Sequence, residues 1–205
     1  MKYLLIDTST DIVNIAVAND DNLLFSFHKK IESNLFVVAL QLINEALTEC
    51  SLSIKDIDKI FASVGPGSFT GIRIGLTIVK TISWALKKDV IPISSLEIIA
   101  SSSFNSKYIV PYIDAKRENC YAAVYDSDLN IIENERFTSK IDFIENRSSD
   151  YKVVSYDSQN LTINFMKIIK KHINDLPINP HLINPNYLKK TEAEENLDKK
   201  NDNKN

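Results

Sequence analysis

The chain has 205 residues, of which 44% are hydrophobic, with 24 basic and 27 acidic side chains and a net charge of −3. This is the composition of a soluble globular protein with one large or two small domains, and without a basic stripe the chain is a poor candidate for binding RNA by itself. No apolar run approaches the roughly 18 residues of a membrane span, and Asp7 is an acid too near the start for a signal peptide, so we predict a cytoplasmic protein that makes no contact with membranes.

Segments rich in β-formers open the chain and are separated by turns of Asp, Asn, Ser and Thr. They predict a meander of antiparallel strands at residues 2–6, 12–18 and 22–28. Apolar residues then recur at i, i+3/i+4 and i+7, which predicts a helix over 33–50 with Phe36, Leu40, Ile43 and Leu47 on its core face.

All four glycines of the chain fall within GPGSFTGIRIG at residues 65–75, between a predicted strand at 59–64 and a helical pattern that runs to Leu86. Gly65-Pro66-Gly67 predicts a turn, because glycine accepts positive φ and proline fixes its own φ. Ser68 or Thr70 is the expected helix N-cap. The candidate signature at this junction comprises Gly65, Pro66, Gly67, Ser68, Phe69, Thr70, Gly71, Arg73 and Gly75.

Two interpretations of these glycines stay open. Gly67, Gly71 and Gly75 recur at four-residue steps, so on a helix they leave one side without side chains and let another backbone approach closely. A glycine-rich turn between a strand and a helix can also cradle phosphate, although this spacing matches neither the dinucleotide fingerprint nor a P-loop. We favour the packing role.

A predicted strand at 90–93 and a helix at 95–102 complete a βββαβαβα unit, which the second half of the chain repeats. Asp114 matches Asp7, 107 residues earlier, and at the same offset Val124 matches Val17. Weaker patterns predict a short helix at 139–145, a strand at 152–155 and a helix near 161–173.

This order resembles the α/β fold of the actin/Hsp70/sugar-kinase (ASKHA) superfamily, in which duplicated βββαβα lobes face a cleft. We predict a first lobe at 1–103 and a second, reduced lobe at 104–188. The highly charged residues 189–205 contain too little apolar surface to fold and are predicted to be a disordered polar tail.

In that superfamily two β-hairpin turns hold the nucleotide phosphates, and the corresponding turns here are residues 7–11 and 114–119. Neither turn contains the glycine that close approach to phosphate usually needs. Asp7 and Asp114 could bind magnesium, but an acid that opens a hairpin turn more often caps it. We therefore predict no catalytic residue and no cofactor site in this chain.

The residues that most often ligate metals are scattered along the sequence. Cys50 and Cys120 lie in apolar segments and are expected to be buried free thiols rather than a disulfide. His28, His172 and His181 show no metal-ligand spacing, so each is expected to be structural or on the surface. We predict no metal site.

The helix that follows the glycine loop has more apolar surface than one core requires. Its apolar and small residues fill an arc of roughly 220°, about twice the usual stripe, and Arg73, Lys80 and Lys87 mark a narrow solvated edge. The helix at 33–50 has a similarly broad arc, and such surplus predicts a protein interface, unless the chain's own lobes bury the helix. The predicted partner interface comprises Leu35, Val38, Leu42, Gly71, Ile74, Gly75, Ile78 and Ile82.

GPGSFTGIRIG after a strand resembles the signature of the bacterial TsaB (YeaZ) family. LLIDTST at 4–10, SSLEIIA at 94–100 and YIDAKRENCYAAVYD at 112–126 agree with that family, and NPNYLKK at 184–190 is similar to its Pro-x-Tyr-Leu-Arg ending with lysine in place of arginine. Two features depart from the family: Glu32 replaces a histidine common at the start of the first helix, and residues 154–157 lack the usual glycines.

The resemblance implies a non-catalytic scaffold and activating subunit of the assembly that transfers a threonylcarbamoyl group to N6 of adenosine 37 in tRNAs. Such a subunit would dimerise through its first-lobe helices with the catalytic relative TsaD, work with a TsaE-type ATPase, meet tRNA only through the complex, and form a homodimer when alone. Two other classes stay open, an autonomous ATP-dependent phosphotransferase and a zinc-dependent glycoprotease-like enzyme. Both predict that the isolated chain binds its own ligand.

Overall fold

The computed structural model describes residues 1–102, 106–145, 147, 150–159 and 161–189. The predicted disordered tail lies outside the described residues except for Lys189. The described part forms two mixed β-sheets with helices packed on them. None of the helices in these ranges is both long enough and apolar enough to cross a bilayer.

The first sheet has five strands in the order β3-β2-β1-β4-β5. They are β1 (Lys2–Asp7), β2 (Ile12–Asn19), β3 (Leu23–Lys30), β4 (Lys59–Ser63) and β5 (Asp89–Ile93). The first three form the predicted antiparallel meander, whereas β4 and β5 run parallel to β1. Parallel neighbours need crossover connections, which α1 (Leu35–Glu49) and α2 (Phe69–Leu86) supply.

The second sheet repeats this order with four strands, β8-β7-β6-β9. They are β6 (Tyr108–Asp114), β7 (Asn119–Asp126), β8 (Ile131–Ser139) and β9 (Tyr151–Val154). Three strands are again antiparallel, and the fourth runs parallel to β6. The duplicated α/β order confirms the actin/Hsp70/sugar-kinase-like fold.

The two hairpins differ by one residue at their turns. Asp7 pairs with Asn14, so a gapless repeat would pair Asp114 with Tyr121, but its partner is Cys120. The second turn is therefore one residue shorter. Three successive non-glycine residues in it have positive φ: Lys116 at 67°, Arg117 at 51° and Glu118 at 60°. Such left-handed conformations cost non-glycine residues about 1–2 kcal/mol each.

The short helices depart most from the predicted bounds. α3 (Ser95–Ala100) stops before the predicted end, and the helix predicted at 139–145 is only a π-type turn at Ile141–Glu145. α4 (Phe165–His172) begins later than predicted, because the Asn164 side chain accepts a hydrogen bond of 3.0 Å from Lys167 N and caps the helix there.

Three apolar clusters divide the molecule into layers. The cluster between the sheets contains Tyr3 and Phe61 from the first, Tyr125 from the second, and the buried faces of α3 and α4. Another cluster fills the space between the first sheet and the α1/α2 pair, and a smaller one lies behind the second sheet around Phe143. The lobes therefore share the central cluster, and each lobe has a further cluster on the outer face of its sheet.

The segment after α4 returns to the first lobe. Ile178 N donates to Val90 O at 2.9 Å, Ile183 is buried in the α1/α2 cluster, and Asn186 N donates to Val64 O at 2.7 Å. A single 3-10 turn at Pro180–Leu182 packs against α2. We call residues 178–187 the C-terminal strap. The strap thus packs against the first lobe, and the predicted lobe bounds stay a prediction.

Candidate functional site

The glycine loop forms the predicted turn between β4 and α2. Gly65 and Gly67 have φ values of 100° and 154°, and a residue with a side chain would be strained in these conformations. The Ser68 side chain accepts a hydrogen bond of 3.2 Å from Gly71 N, so Ser68 rather than Thr70 is the N-cap. α2 accordingly begins at Phe69.

The 7–11 turn packs directly on the start of α2. A Cβ at Gly67 would overlap Ser9 O, and one at Gly71 would overlap Thr8 O. Two hydrogen bonds hold the contact: Ser68 N donates to Ser9 O at 2.6 Å, and Thr8 Oγ1 donates to Gly71 O at 2.7 Å. The close backbone approach that the four-residue glycine spacing predicts is therefore confirmed, and the approaching backbone belongs to this chain.

Asp7 is fully buried at the base of the cleft between the lobes, and both of its carboxylate oxygens are engaged. Oδ1 accepts from Ser9 N at 2.9 Å, which confirms the predicted turn-capping role. Oδ2 accepts from Asn14 Nδ2 at 3.1 Å and from the Tyr156 hydroxyl of the second lobe. Burial first, and then the charge of Asp7, raise the pKa of Tyr156 well above its ordinary value, so the tyrosine stays a donor.

Asp114 occupies the matching place in the second lobe and pairs with two lysines. Its oxygens lie 2.9 Å from Lys140 Nζ and 3.4 Å from Lys116 Nζ. The hydrogen bond from Lys140 is the main reason why the pKa of this carboxyl is lowered. Ammonium groups thus neutralise the carboxylate that could otherwise face a metal ion.

A cleft of about 690 Å³ lies between the two hairpin turns. Its lining contains equal numbers of acidic and basic side chains, Asp11, Asp114, Asp157, Lys30, Lys116 and Lys140. No group of three or more His, Cys, Asp or Glu side chains in the described ranges is placed to hold a metal ion. The absence of a metal or cofactor site stays a prediction.

The cysteines and histidines lie at separate positions in the structure and form no common site among the described residues. Cys50 and Cys120 are free thiols; burial raises the pKa of Cys120 to about 11, whereas Cys50 is only half-buried. His28 Nδ1 lies 2.7 Å from Asn14 Oδ1, and His181 contacts the ring of Trp84 edge-on. His172 joins an ion-pair network at the end of α4. These are the structural and surface positions that the sequence predicts.

A half-buried acid ties the strap to the glycine loop. Glu135 of β8 accepts hydrogen bonds from Tyr125 OH and Asn186 Nδ2, both at 3.0 Å, and from the Ser94 hydroxyl at the α3 N-cap. Burial raises the pKa of Glu135 despite these donors. Since Gly65 O accepts from Ser95 N at 3.0 Å, the loop, α3 and the strap are joined in one network.

The predicted partner interface divides into two groups. Buried are Leu42, Gly71, Gly75 and Ile78. Half-buried are Leu35, Val38, Ile74 and Ile82. Within the folded chain the first group is covered, because the two glycines face the 7–11 turn and the two aliphatic residues pack in the α1/α2 cluster. Whether the rest of the face binds a partner stays a prediction.

The surplus apolar surface of α1 is on a different side from the one predicted. Phe36, Val37 and Leu40 are exposed by 44, 53 and 40%, although the sequence pattern places Phe36 and Leu40 in the core. A groove of about 340 Å³ lies beside Leu40, lined by α1, by residues 52–54 that follow it and by Ile82 of α2. Six of its eight lining residues are apolar: Leu40, Ile43, Leu47, Leu52, Ile54 and Ile82. We call this the α1–α2 groove.

The residues that form hydrogen bonds to the site from distant parts of the chain are not identified from the sequence. Tyr156 reaches Asp7 from the second lobe, and Glu135 reaches Asn186 of the strap. No periodicity signals such pairs, because one partner of each pair, Tyr156 or Asn186, lies in an irregular segment. Tyr187 of the strap stacks on Phe69 at 4.6 Å between ring centroids, and only the similarity of NPNYLKK to a family ending singles it out.

Comparisons with known proteins agree with this architecture. A model of the family described as TsaD, tRNA N6-adenosine threonylcarbamoyltransferase, matches residues 31–171. The chain is 32% identical over 134 residues to the tRNA threonylcarbamoyladenosine biosynthesis protein TsaB of Bacillus subtilis, an alignment that covers 65% of this chain and 58% of that protein. The chain thus spans less than two thirds of that relative.

A TsaB protein of Buchnera aphidicola is 28% identical over 184 residues, covering 85% of this chain and 83% of its own length. The solved structure of YeaZ from Pseudomonas aeruginosa superposes with a TM-score of 0.76 at 20% identity, covering 91% of this chain and 99% of that one. This last likeness concerns the fold. Because the family model matches most of the chain, the chain belongs to the TsaD family, within which it is similar to the TsaB (YeaZ) proteins.

Proposed function

We propose that this chain is a non-catalytic scaffold and activating subunit in the formation of threonylcarbamoyladenosine in tRNA. Its role is to dimerise with TsaD, which transfers the threonylcarbamoyl group to N6 of adenosine 37. A TsaE-type ATPase completes the assembly. The similarity to tRNA threonylcarbamoyladenosine biosynthesis proteins of Bacillus subtilis and Buchnera aphidicola supports this pathway.

The state of the cleft carboxylates supports a non-catalytic role. A phosphotransferase or a zinc enzyme needs carboxylates free to bind a metal ion or to accept a proton. Asp7 is instead engaged by Ser9, Asn14 and Tyr156. Asp114 is paired with two lysines. The chemistry then belongs to the partner.

The observation that carries the scaffold role is the exposed apolar face of α1 beside the α1–α2 groove. Large side chains such as Phe36 and Leu40 are exposed next to a groove with a mostly apolar lining. Contiguous apolar surface of this kind typically marks a protein interface, whereas single exposed apolar residues do not. Because two helices contribute, a helical partner such as the related subunit fits the groove.

The test is Leu40→Glu. Leu40 is 40% exposed, so the folded monomer can leave the new carboxylate in water, but a partner seated on the groove would bury it unpaired. We expect the variant to lose at least about 3 kcal/mol of binding to TsaD, more than a hundredfold in affinity, while melting like the parent chain. Co-purification with tagged TsaD and a thermal melt measure the two effects.

Gln41→Glu is the matched control, because Gln41 is the next residue of the same helix, is exposed, and points about 100° away from Leu40. It should bind TsaD normally. Normal binding by the Leu40 variant would show that the groove is not the interface. A parallel measurement of mass in solution tests whether the chain alone self-pairs through the same face.

A further inference from the structure

One edge of α2 and the adjoining strap combine positive charge with exposed aromatic rings. Arg73 and Lys80 are two helical turns apart, and Lys87 follows at the C-terminal cap of the helix. Phe69 and Trp84 lie on the same side, within about 60° of these cations on the helical wheel. We call this row, Phe69, Arg73, Lys80, Trp84 and Lys87, the α2 edge.

The two sequence segments that form the α2 edge and the strap contain no acidic residues. Residues 59–88 and 176–189 contain neither aspartate nor glutamate, although the whole chain has a net charge of −3. The two segments pack together, since Arg73 Nε donates to Tyr187 OH at 2.8 Å and Trp84 contacts His181. A positive strip therefore runs along one side of a protein that is acidic overall.

The rings on this strip are unusually open. Trp84, the only tryptophan of the chain, is 67% exposed, and Phe69 and Tyr187 are 39 and 41% exposed. The Arg73 guanidinium lies 3.8 Å from the centroid of the Phe69 ring, and its bond to Tyr187 uses only Nε. The remaining guanidinium donors can bind an oxyanion in a fixed orientation.

We propose that the α2 edge binds a single-stranded segment of RNA, with Arg73, Lys80 and Lys87 on phosphates and a base stacked on Trp84. Cations tracking a backbone, interleaved with rings that accept any base, are the recognised elements of single-strand binding. The distance from Phe69 to Trp84 along α2, about 22 Å, accommodates several nucleotides. The inference rests on the proposed function only in taking tRNA as the source of the RNA.

An acidic protein segment is the other polyanion that could lie on this strip, but it would leave Trp84 without the flat partner that a base provides. The sequence pattern alone hides the site, because the cations are seven residues apart and the net charge is negative. The α2 edge also lies about 80° or more around the helix from Ile74 and Ile82 on the proposed partner face. A bound partner subunit would therefore leave it accessible.

The single tryptophan provides the test. Trp84 emission is recorded while the full chain is titrated at about 50 mM salt with an RNA hairpin that has an unpaired loop, and separately with polyglutamate. We expect the hairpin to quench Trp84 with a dissociation constant of about 10⁻⁴ M or tighter, and polyglutamate to leave the emission unchanged. An unchanged emission with RNA overturns the proposal. Equal responses to the two polymers would assign the strip to an acidic protein segment and overturn it as well.

Charge-reversal variants locate the contact. Lys80→Glu with Lys87→Glu should weaken binding of a labelled hairpin at least tenfold and should lower the slope of log affinity against log salt by about 1.4. The matched control, Lys29→Glu with Lys170→Glu, makes the same change in net charge at exposed positions of β3 and α4 and should bind like the parent chain. Equal weakening by both pairs would mean that only net charge matters, which overturns the site.

The proposal that the chain pairs with TsaD and the proposal that the α2 edge binds RNA can be tested independently. Leu40→Glu should abolish pairing with TsaD and keep the RNA response, whereas the Lys80/Lys87 pair should keep pairing and lose the RNA response. Loss of pairing in both variants would place the α2 edge inside the protein interface and overturn the RNA assignment. Retention of pairing by Leu40→Glu leaves the RNA result to stand by itself.

Discussion

Thr8 shows how much a single residue of the 7–11 turn decides. Its carbonyl oxygen occupies the space where Gly71 lacks a side chain, and its hydroxyl occupies the space beside Gly75. The same hydroxyl donates to Gly71 O at 2.7 Å. Thr8 thus leaves no room for a side chain at either glycine. Gly71 faces the backbone carbonyl of Thr8, which is rigid, whereas Gly75 faces its side chain, which can rotate.

That difference predicts unequal costs for two alanine substitutions. Gly71→Ala should reduce the free energy of unfolding by about 3 kcal/mol, because the new Cβ overlaps a carbonyl oxygen that cannot move without the turn. Gly75→Ala should cost about 1–2 kcal/mol, because rotation of Thr8 relieves the overlap and sacrifices one hydrogen bond. Urea unfolding measures both.

Thr8→Ala separates the two effects, because it removes the hydroxyl and keeps the carbonyl. In that background Gly75→Ala should be neutral or stabilising by up to about 1 kcal/mol from helix propensity, whereas Gly71→Ala should remain costly. Rescue of both substitutions by Thr8→Ala would refute the assignment of the carbonyl as the obstacle to Gly71.

At the scale of elements, periodicity and turn residues predict the first lobe well. The bounds of β1 to β5, α1 and α2 agree with the predicted ones to within about two residues, except at the start of α2, where two N-caps were possible. The second lobe is less predictable: the 139–145 pattern forms only a π-type turn at Ile141–Glu145, since β8 continues to Ser139 and takes the residue at which the helix is predicted to begin.

The candidate site is predictable only where its cause is local. The glycine turn, the capping role of Asp7 and the close approach to Gly71 all follow from neighbouring residues. The exposed side of α1 does not, because a helical wheel gives the width of an apolar arc but not the position of the elements that cover it. Phe36 and Leu40 lie beyond that cover, whereas Leu42 lies beneath it.

The burial of one face of α2 leads to a prediction for Ile78, which lies midway along the helix. Ile78 is 3% exposed, so Ile78→Glu would bury an unpaired carboxylate at a cost of about 4 kcal/mol or more, a large share of the roughly 5–15 kcal/mol by which an ordinary domain is stable. We expect loss of the cooperative thermal transition at physiological temperature. Ala85→Glu, two turns along the same stripe but exposed, is the control and should melt like the parent chain. A well-folded Ile78 variant would contradict the burial.

At the scale of the whole molecule, α3 and α4 join the lobes through a buried ion-pair network. Glu97 of α3 is 5% exposed and lies 2.6 Å from Lys171 Nζ and 2.9 Å from His172 Nε2. His172 Nδ1 lies 2.6 Å from Asp175. The imidazole therefore stands between two carboxylates, one in each lobe.

The network makes the stability of the protein depend on pH. Burial opposes the charge on His172, but the hydrogen bonds and charges of Glu97 and Asp175 outweigh it and raise the pKa of the imidazole. Burial likewise opposes the charge on Glu97, and its partners His172 and Lys171 outweigh it and lower the pKa of the carboxyl. The two shifts have opposite consequences along the pH scale.

A raised histidine pKa gives stability that is complete below the ordinary value of 6.5 and is lost as the pH rises through the folded value. A lowered glutamate pKa gives stability that is present above 4.5 and is lost as the pH falls through the folded value. Both contributions are complete only between these ordinary values.

His172→Gln should therefore be more destabilising at about pH 5.5 than at about pH 8.5, because the parent chain loses this contribution as the pH rises through the raised pKa of the folded state. Urea unfolding of both chains at the two pH values measures the difference. Asp175→Asn, which removes one of the two acids, should give a smaller change of the same sign. A cost of His172→Gln that grows toward alkaline pH would show that the imidazole is bound neutral in the folded protein.

The strap has a consequence for how the protein is made. A ribosome adds about 5–20 residues per second, so the roughly one hundred residues between the end of α2 and Ile183 take about 5–20 s to synthesise. During that interval the flank of α2 that receives Ile183 is exposed to water on the nascent chain, together with its glycine loop. The first lobe begins to emerge before the second, yet it is the last part of the protein to be completed.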